Sequence, residues 1–156
     1  MKKNTNVWIT VAHRAGLRVY NYEHSHDKKA LTLVYTQEHP EGLLKDKQLG
    51  SDQPGRSFDS LGGARHSLSS SQSPSEHVSV KFAKEICTLL QDASKKNKFS
   101  QLVLIAGPAF LGLLREHLDT STSAQVVHTL NKDLVNMNDH EMQLYLEKNI
   151  ETFLRN

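Results

Sequence analysis

Apolar and polar positions divide the chain into two patterned parts separated by an unpatterned stretch. Val7-Trp8-Ile9-Thr10-Val11-Ala12 is a β-branched, apolar run. His13-Arg14-Ala15-Gly16 interrupts it, and Leu17, Val19 and Tyr20 to Tyr22 carry a second strand, so a hairpin is the simple connection. After the polar residues 24–29 comes a run from Ala30 to Thr36. There Leu31, Leu33 and Tyr35 alternate with smaller or polar positions and predict a third strand, antiparallel to the second.

From His39 to Ser73 the periodicity stops. This stretch holds five of the eight glycines (Gly42, Gly50, Gly55, Gly62, Gly63), two of the four prolines (Pro40, Pro54) and many serines. A connection of that length inside a small domain is either functional or disordered. Its composition predicts that it becomes ordered on meeting a partner.

The remainder alternates helix and strand. Ser73-Pro74-Ser75-Glu76 reads as a capped helix start, with Ser73 as N-cap, Pro74 at the first helical position and Glu76 three residues after the cap. Val78, Phe82, Ile86, Leu89, Leu90 and Ala93 then recur at helical spacing as far as the basic cluster Lys95-Lys96-Asn97-Lys98. Gln101–Ala106 is a continuous apolar strand of the kind buried on both faces of a parallel sheet. Gly107-Pro108 turns it into a short helix, a further helical turn is expected at Thr120–Thr122, and Val126–Leu130 is the last strand. A final helix starts at Asn138-Asp139, with Met142, Tyr145, Leu146, Ile150 and Phe153 on its apolar face. The order βββ, long loop, αβαβα predicts an α/β fold over 1–156. We expect a mixed five-stranded sheet of ribonuclease H-like layout, with helices on its faces and the later strands joined by right-handed crossovers.

Composition narrows the chemistry. The 156 residues carry a formal charge of +2, and about 150 residues suit one domain. So small an excess argues against a protein that coats duplex DNA. The charge is nevertheless uneven: residues 1–30 hold Lys2, Lys3, Arg14, Arg18, Lys28 and Lys29 against Glu23 and Asp27, while 39–73 balances four basic with four acidic residues. Arg14 and Arg18 are therefore the candidates for an RNA-facing surface. Cys87 has no second cysteine to pair with and lies in an amphipathic run, which predicts an inert core thiol and a reducing, cytoplasmic setting. No apolar run approaches the roughly 20 residues that span a bilayer, and no membrane role is expected.

Familiar catalytic patterns are missing. A ribonuclease H-type nuclease needs acidic residues on the first strand and near the fourth, and Val7–Ala12 and Leu102–Ala106 hold none. His24, His26 and Asp27 offer three metal donors with no identifiable fourth, so neither a metal site nor a cofactor is expected. Gly107-Pro108 lacks the Lys-Ser/Thr of a P-loop. What remains is the long loop, where Asp52, Pro54, Gly55, Arg56, Phe58, Asp59, Gly62, Gly63, Arg65 and His66 are the candidate contact residues. Arginine suits phosphate or carboxylate, and an adjacent glycine pair lets a partner approach the backbone closely.

Several of these strings, in this order, resemble a known bacterial family. They are His39-Pro40-Glu41-Gly42, Asp52–Asp59, Gly62-Gly63-Ala64-Arg65-His66, Leu102–Leu114 and Asn131-Lys132-Asp133-Leu134. The family is that of host attachment proteins, described as required for attachment to host cells, and the resemblance runs from about Val7 to Glu147. It implies a relation to the middle domain of archaeal and eukaryotic class-one peptide release factors, in which a loop at this place carries Gly-Gly-Gln into the peptidyl-transferase centre. Gly62 and Gly63 match the two glycines, whereas Ala64 stands where the Gln would be, so release chemistry does not carry over directly. The resemblance thus implies a translation accessory that binds ribosome or tRNA through the 39–73 loop, which at ~3.3 Å per residue reaches roughly 50 Å even doubled back. The alternatives are a non-enzymatic protein-binding factor in host attachment, and a small ester or phosphoester hydrolase using Arg56, Arg65 and His66.

Overall fold

The computed structural model describes residues 5–44 and 73–155. β1 (Thr5–His13) and β2 (Gly16–His24) make the expected hairpin, and β3 (Lys29–Glu38) pairs antiparallel with β2. A 3-10 turn (Pro40–Leu43) follows; after the undescribed segment come α1 (Pro74–Lys95), β4 (Gln101–Ala106), α2 (Pro108–His117), the single turn α3 (Thr120–Ser123), β5 (Val126–Asn131) and α4 (Asp139–Leu154). The strands lie in the order β3-β2-β1-β4-β5, with β1–β4 and β4–β5 parallel. This is the mixed five-stranded α/β sheet that the alternation of elements predicts.

Alternate residues of the central strands serve two separate cores. On one face Ala12, Leu17, Val19, Leu102, Leu104 and Ala106 pack under α1 and α2, which contribute Phe82, Ile86, Leu90, Phe110, Leu111 and Leu114. On the other, Val7, Ile9, Val11, Tyr20, Tyr22, Val103 and Ile105 pack under α4 through Met142, Leu146, Ile150 and Phe153. Both faces of β4 are covered, hence its unbroken apolar sequence.

The ends are capped largely as the sequence indicates. Ser73 Oγ accepts from the Glu76 amide while Glu76 Oε2 accepts from the Ser73 amide, each at 3.3 Å, a reciprocal box that fixes the start of α1. Asn138 caps α4 through the Glu141 amide at 2.8 Å. The short turn α3 is capped by Asp119, whose carboxylate accepts from the Thr122 amide at 2.7 Å; hydrogen bonding from the Thr122 side chain first, and from its amide second, holds the Asp119 pKa below its ordinary value.

Two sequence expectations change. The patternless stretch does not begin at His39, because residues 39–43 are folded against the β1–β2 turn: the His39 amide donates to Ala15 O at 2.8 Å and His39 Nδ1 donates to Arg14 O at 2.7 Å. Arg18 also has a structural engagement. Its guanidinium meets Asp139 at 2.8 Å and the Met137 carbonyl at 3.2 Å, tying β2 to the start of α4. With Asp139 largely exposed, that pair contributes about 1 kcal/mol or less.

Cys87 is buried on the inner face of α1, with its thiol near the Leu114 carbonyl. Burial, with a smaller contribution from Asp119, pushes its pKa up to about 12. Because the thiolate is the reactive form, the folded protein should not react with an aromatic disulfide reagent near pH 8 (about the free thiol's own pKa). Labelling should begin only as denaturant unfolds the chain. Prompt labelling of native protein would contradict the packing around α1.

Candidate functional site

The three parallel strands all point their carboxyl ends to one side of the sheet, the side on which ligands of α/β proteins usually sit. Among the described residues five segments converge there: the β1–β2 turn, the 3-10 turn, the first turns of α1, the loop that follows β4 and the loop that follows β5. Together they enclose a cleft of about 660 Å³. Its polar lining is His13, Arg14, Ser75, Ser79, Glu76 and Asp133, set among Leu43, Val80, Phe110, Leu113 and Val135.

One wall exists because of Gly42. A Cβ placed there would stand 1.7 Å from Arg14 O and 2.3 Å from Arg14 C, so only glycine lets the 3-10 turn lie against the hairpin. His39 supports the same contact from the other side, its ring stacked on Phe82 with centroids 4.0 Å apart and planes 5° from parallel. The opposite wall is the capping box of α1. The described residues that flank 45–72, Leu44 at the end of the 3-10 turn and Ser73 at the start of α1, therefore stand at two walls of one cleft.

Electrostatically the cleft is mixed. The first turn of α2 directs its free amides toward this end, a feature that attracts anions, but Asp133 already packs beside Gly107 at its start. Asp133 Oδ1 also accepts from the Val135 amide at 3.0 Å. With Glu76 in its lining and Arg14 the one basic side chain besides His13 that lines it among the described residues, the described part of the site suits a ligand that presents hydrogen bonds and apolar surface.

His13 is held neutral by this environment. Burial lowers its pKa, Asp133 pulls it back up and Arg18 pushes it down. The Ala15 amide donates to Nδ1 at 3.1 Å, which leaves the ring proton on Nε2. In an NMR titration of the nine histidines, His13 should titrate below the ordinary 6.5. Asp133→Asn should lower it further, and Arg18→Ala should raise it. As the unfolded chain takes up this proton at higher pH than the folded one, stability contributed by His13 is present above 6.5 and falls as the pH drops below it. A His13 resonance that titrates above 6.5, or that ignores Asp133→Asn, would show that the imidazole is not enclosed in this way.

Among the described residues no group of three or more His, Cys, Asp or Glu is placed to hold a metal ion, and no helix is long and apolar enough to cross a membrane. A search of curated proteins finds no match. A family model does match, over residues 8–146: "Protein required for attachment to host cells".

The chain belongs to that family.

In this member of the host attachment family, Asp52, Pro54, Gly55, Arg56, Phe58, Asp59, Gly62, Gly63, Arg65 and His66 all lie outside the described residues. Of the two arginines read as RNA-facing, Arg14 is exposed at the cleft and Arg18 is occupied by Asp139. His13, at the break after the first strand, and Asp133, within one of the resembling strings, are not singled out as site residues by the sequence. Only the parallel pairing of β1, β4 and β5 brings the ends of their strands together. The signal available in advance is positional: His13 ends β1 and Asp133 stands two residues past the end of β5.

Proposed function

We propose that this host attachment family protein is a cytoplasmic accessory of translation that binds ribosome or tRNA with residues 39–73, and that the sheet's carboxyl end is the platform from which this segment works. The observation that supports it is the seating of both stems in the walls of one cleft, 3-10 turn on one side and capping box on the other. A contact segment mounted on a rigid scaffold loses less entropy on binding than one on a free tail. Exposed Arg14 beside the stems is suited to a phosphate of the same partner. The Gly62-Gly63 pair resembles the two glycines of the release-factor loop, and with Ala64 in the place of its Gln the proposed role rests on binding.

Cosedimentation with ribosomes tests this reading. Wild-type protein should pellet with them, Gly62→Ala/Gly63→Ala should remain in the supernatant, and Arg14→Ala should weaken association in a salt-dependent way. Failure of the wild type to associate, or association indifferent to the glycine pair, rejects it. Recovery instead of protein partners resistant to nuclease would favour the protein-binding alternative.

A further inference from the structure

Among the described residues β3 is the outermost strand on its side of the sheet, so one of its edges has no described strand beside it. Natural sheets blunt such edges with charge or proline. β3 has neither between residues 30 and 37, and its centre exposes three large apolar side chains, Leu33 (38%), Val34 (46%) and Tyr35 (37%). Its charges stand at opposite ends, on Lys29 and Glu38.

Those two residues are nine positions apart, which in a regular strand puts them on opposite faces. Pairing with β2 shows that they are not. Tyr20 lies opposite Leu33 while Val19 lies opposite Tyr35, so Val34 is an inserted bulge residue, and the alternation of faces changes phase at this point. Lys29 lies opposite His24 and Glu38 opposite Gly16, eight residues apart on β2, hence on the same face.

We infer that β3 pairs antiparallel with β3 of a second copy, about a two-fold axis between Leu33 and Val34, to form one continuous sheet across both copies. In this register Lys29 faces the partner's Glu38, Leu31 the partner's Thr36 and Thr32 the partner's Tyr35. The bulge makes this self-complementarity possible: residues 29, 31, 36 and 38 share the α4 side, and residues 30, 32, 35 and 37 share the α1 side. An unbulged strand in the same register would oppose side chains from different faces at every pair.

Charge and surface both fit this occupant. Glu38 has no ion-pair partner among the described residues, and Lys29 spends one of three donors on Glu151. Val34 and Tyr35 also wall a groove of about 760 Å³ against Trp8 and Leu89, and the partner's Tyr35 arrives at its rim. That extends the contact beyond the backbone edge toward the roughly 800 Å² per partner of a standard interface. An isologous contact of this kind closes on itself, so both exposed edges are covered without growth into fibres.

Sedimentation velocity on the full chain, from low micromolar to submillimolar concentration, tests the proposal. The wild type should show a reversible monomer–dimer equilibrium. Val34→Lys, which sets two ammonium groups beside the axis, should be monomeric with an unchanged circular dichroism spectrum and Tm. Glu38→Lys and Lys29→Glu should each weaken self-association roughly tenfold, since each sets like charges opposite one another twice. An equimolar mixture of these two variants should recover wild-type affinity as a heterodimer, because every 29–38 pair is then of opposite sign. A wild type that stays monomeric throughout, a dimer indifferent to Val34→Lys, a mixture no tighter than its components, or open-ended polymers would each overturn the proposal.

Discussion

Phe82→Ala should be among the most damaging single substitutions in the protein, lowering the unfolding free energy by about 3–5 kcal/mol and Tm by roughly 10 °C. Phe82 is fully buried where α1 crosses the sheet. Its ring lies flat against His39 and 6.1 Å from the ring of Phe110. Alanine removes the transfer free energy of the ring and leaves a cavity that neighbours in the middle of a helix and a sheet cannot collapse to fill. Phe82→Leu keeps most of the volume and should cost less than about 1.5 kcal/mol. Urea titrations of the three proteins, compared at equal slope, measure both effects. An alanine variant within experimental error of wild type would mean that α1 is not packed as described.

Gly42→Ala should be severe in a different and more local way. The added methyl collides with the backbone of Arg14, which cannot rotate aside as a side chain would. The 3-10 turn must lift away from the hairpin or the hairpin must shift, at an expected cost of about 1–3 kcal/mol. Since residues 39–43 follow the end of an edge strand, detachment is the easier response. Amide exchange at His39, whose N–H is bonded to Ala15 O, should then accelerate far more than exchange in β1 and β4. Uniform acceleration over the sheet, or none at His39, would contradict the docked turn. The same variant dismantles one wall of the cleft without touching residues 45–72, and so separates the scaffold's part in binding from that of the segment.

The contrast between these two sites explains what was legible in the sequence. Phe82 is visible in advance, because helical periodicity around it marks a buried face, and β4 is visible by its unbroken apolar run. Ser73 and Asn138 announce their helices by capping chemistry, which is local. The docking of His39 and Gly42 is not local: Pro40-Glu41-Gly42 has turn composition, and its fit depends on a hairpin some 25 residues earlier and a helix some 40 residues later. His13 and Asp133 are hidden for the same reason, each being uninformative until parallel pairing brings their strand ends to one side. The bulge at Val34 is also invisible to alternation, since Leu31, Leu33 and Tyr35 keep the period of two through it, and only the pairing register of β2 shows the change of phase.

The central position of β1 has a consequence for how the protein is made. Its partner on one side, β2, follows within a few residues, but its partner on the other, β4, leaves the ribosome only after residue 101 has been synthesised. Throughout that interval Val7-Trp8-Ile9-Thr10-Val11-Ala12 presents an uncharged, proline-free edge of high β-propensity, the kind of window in which nascent chains pair wrongly. Completion of this sheet is thus ordered in time: the three-stranded meander comes first and waits for the second half of the chain, and the speed at which β4 arrives sets how long the nascent protein is vulnerable to aggregation.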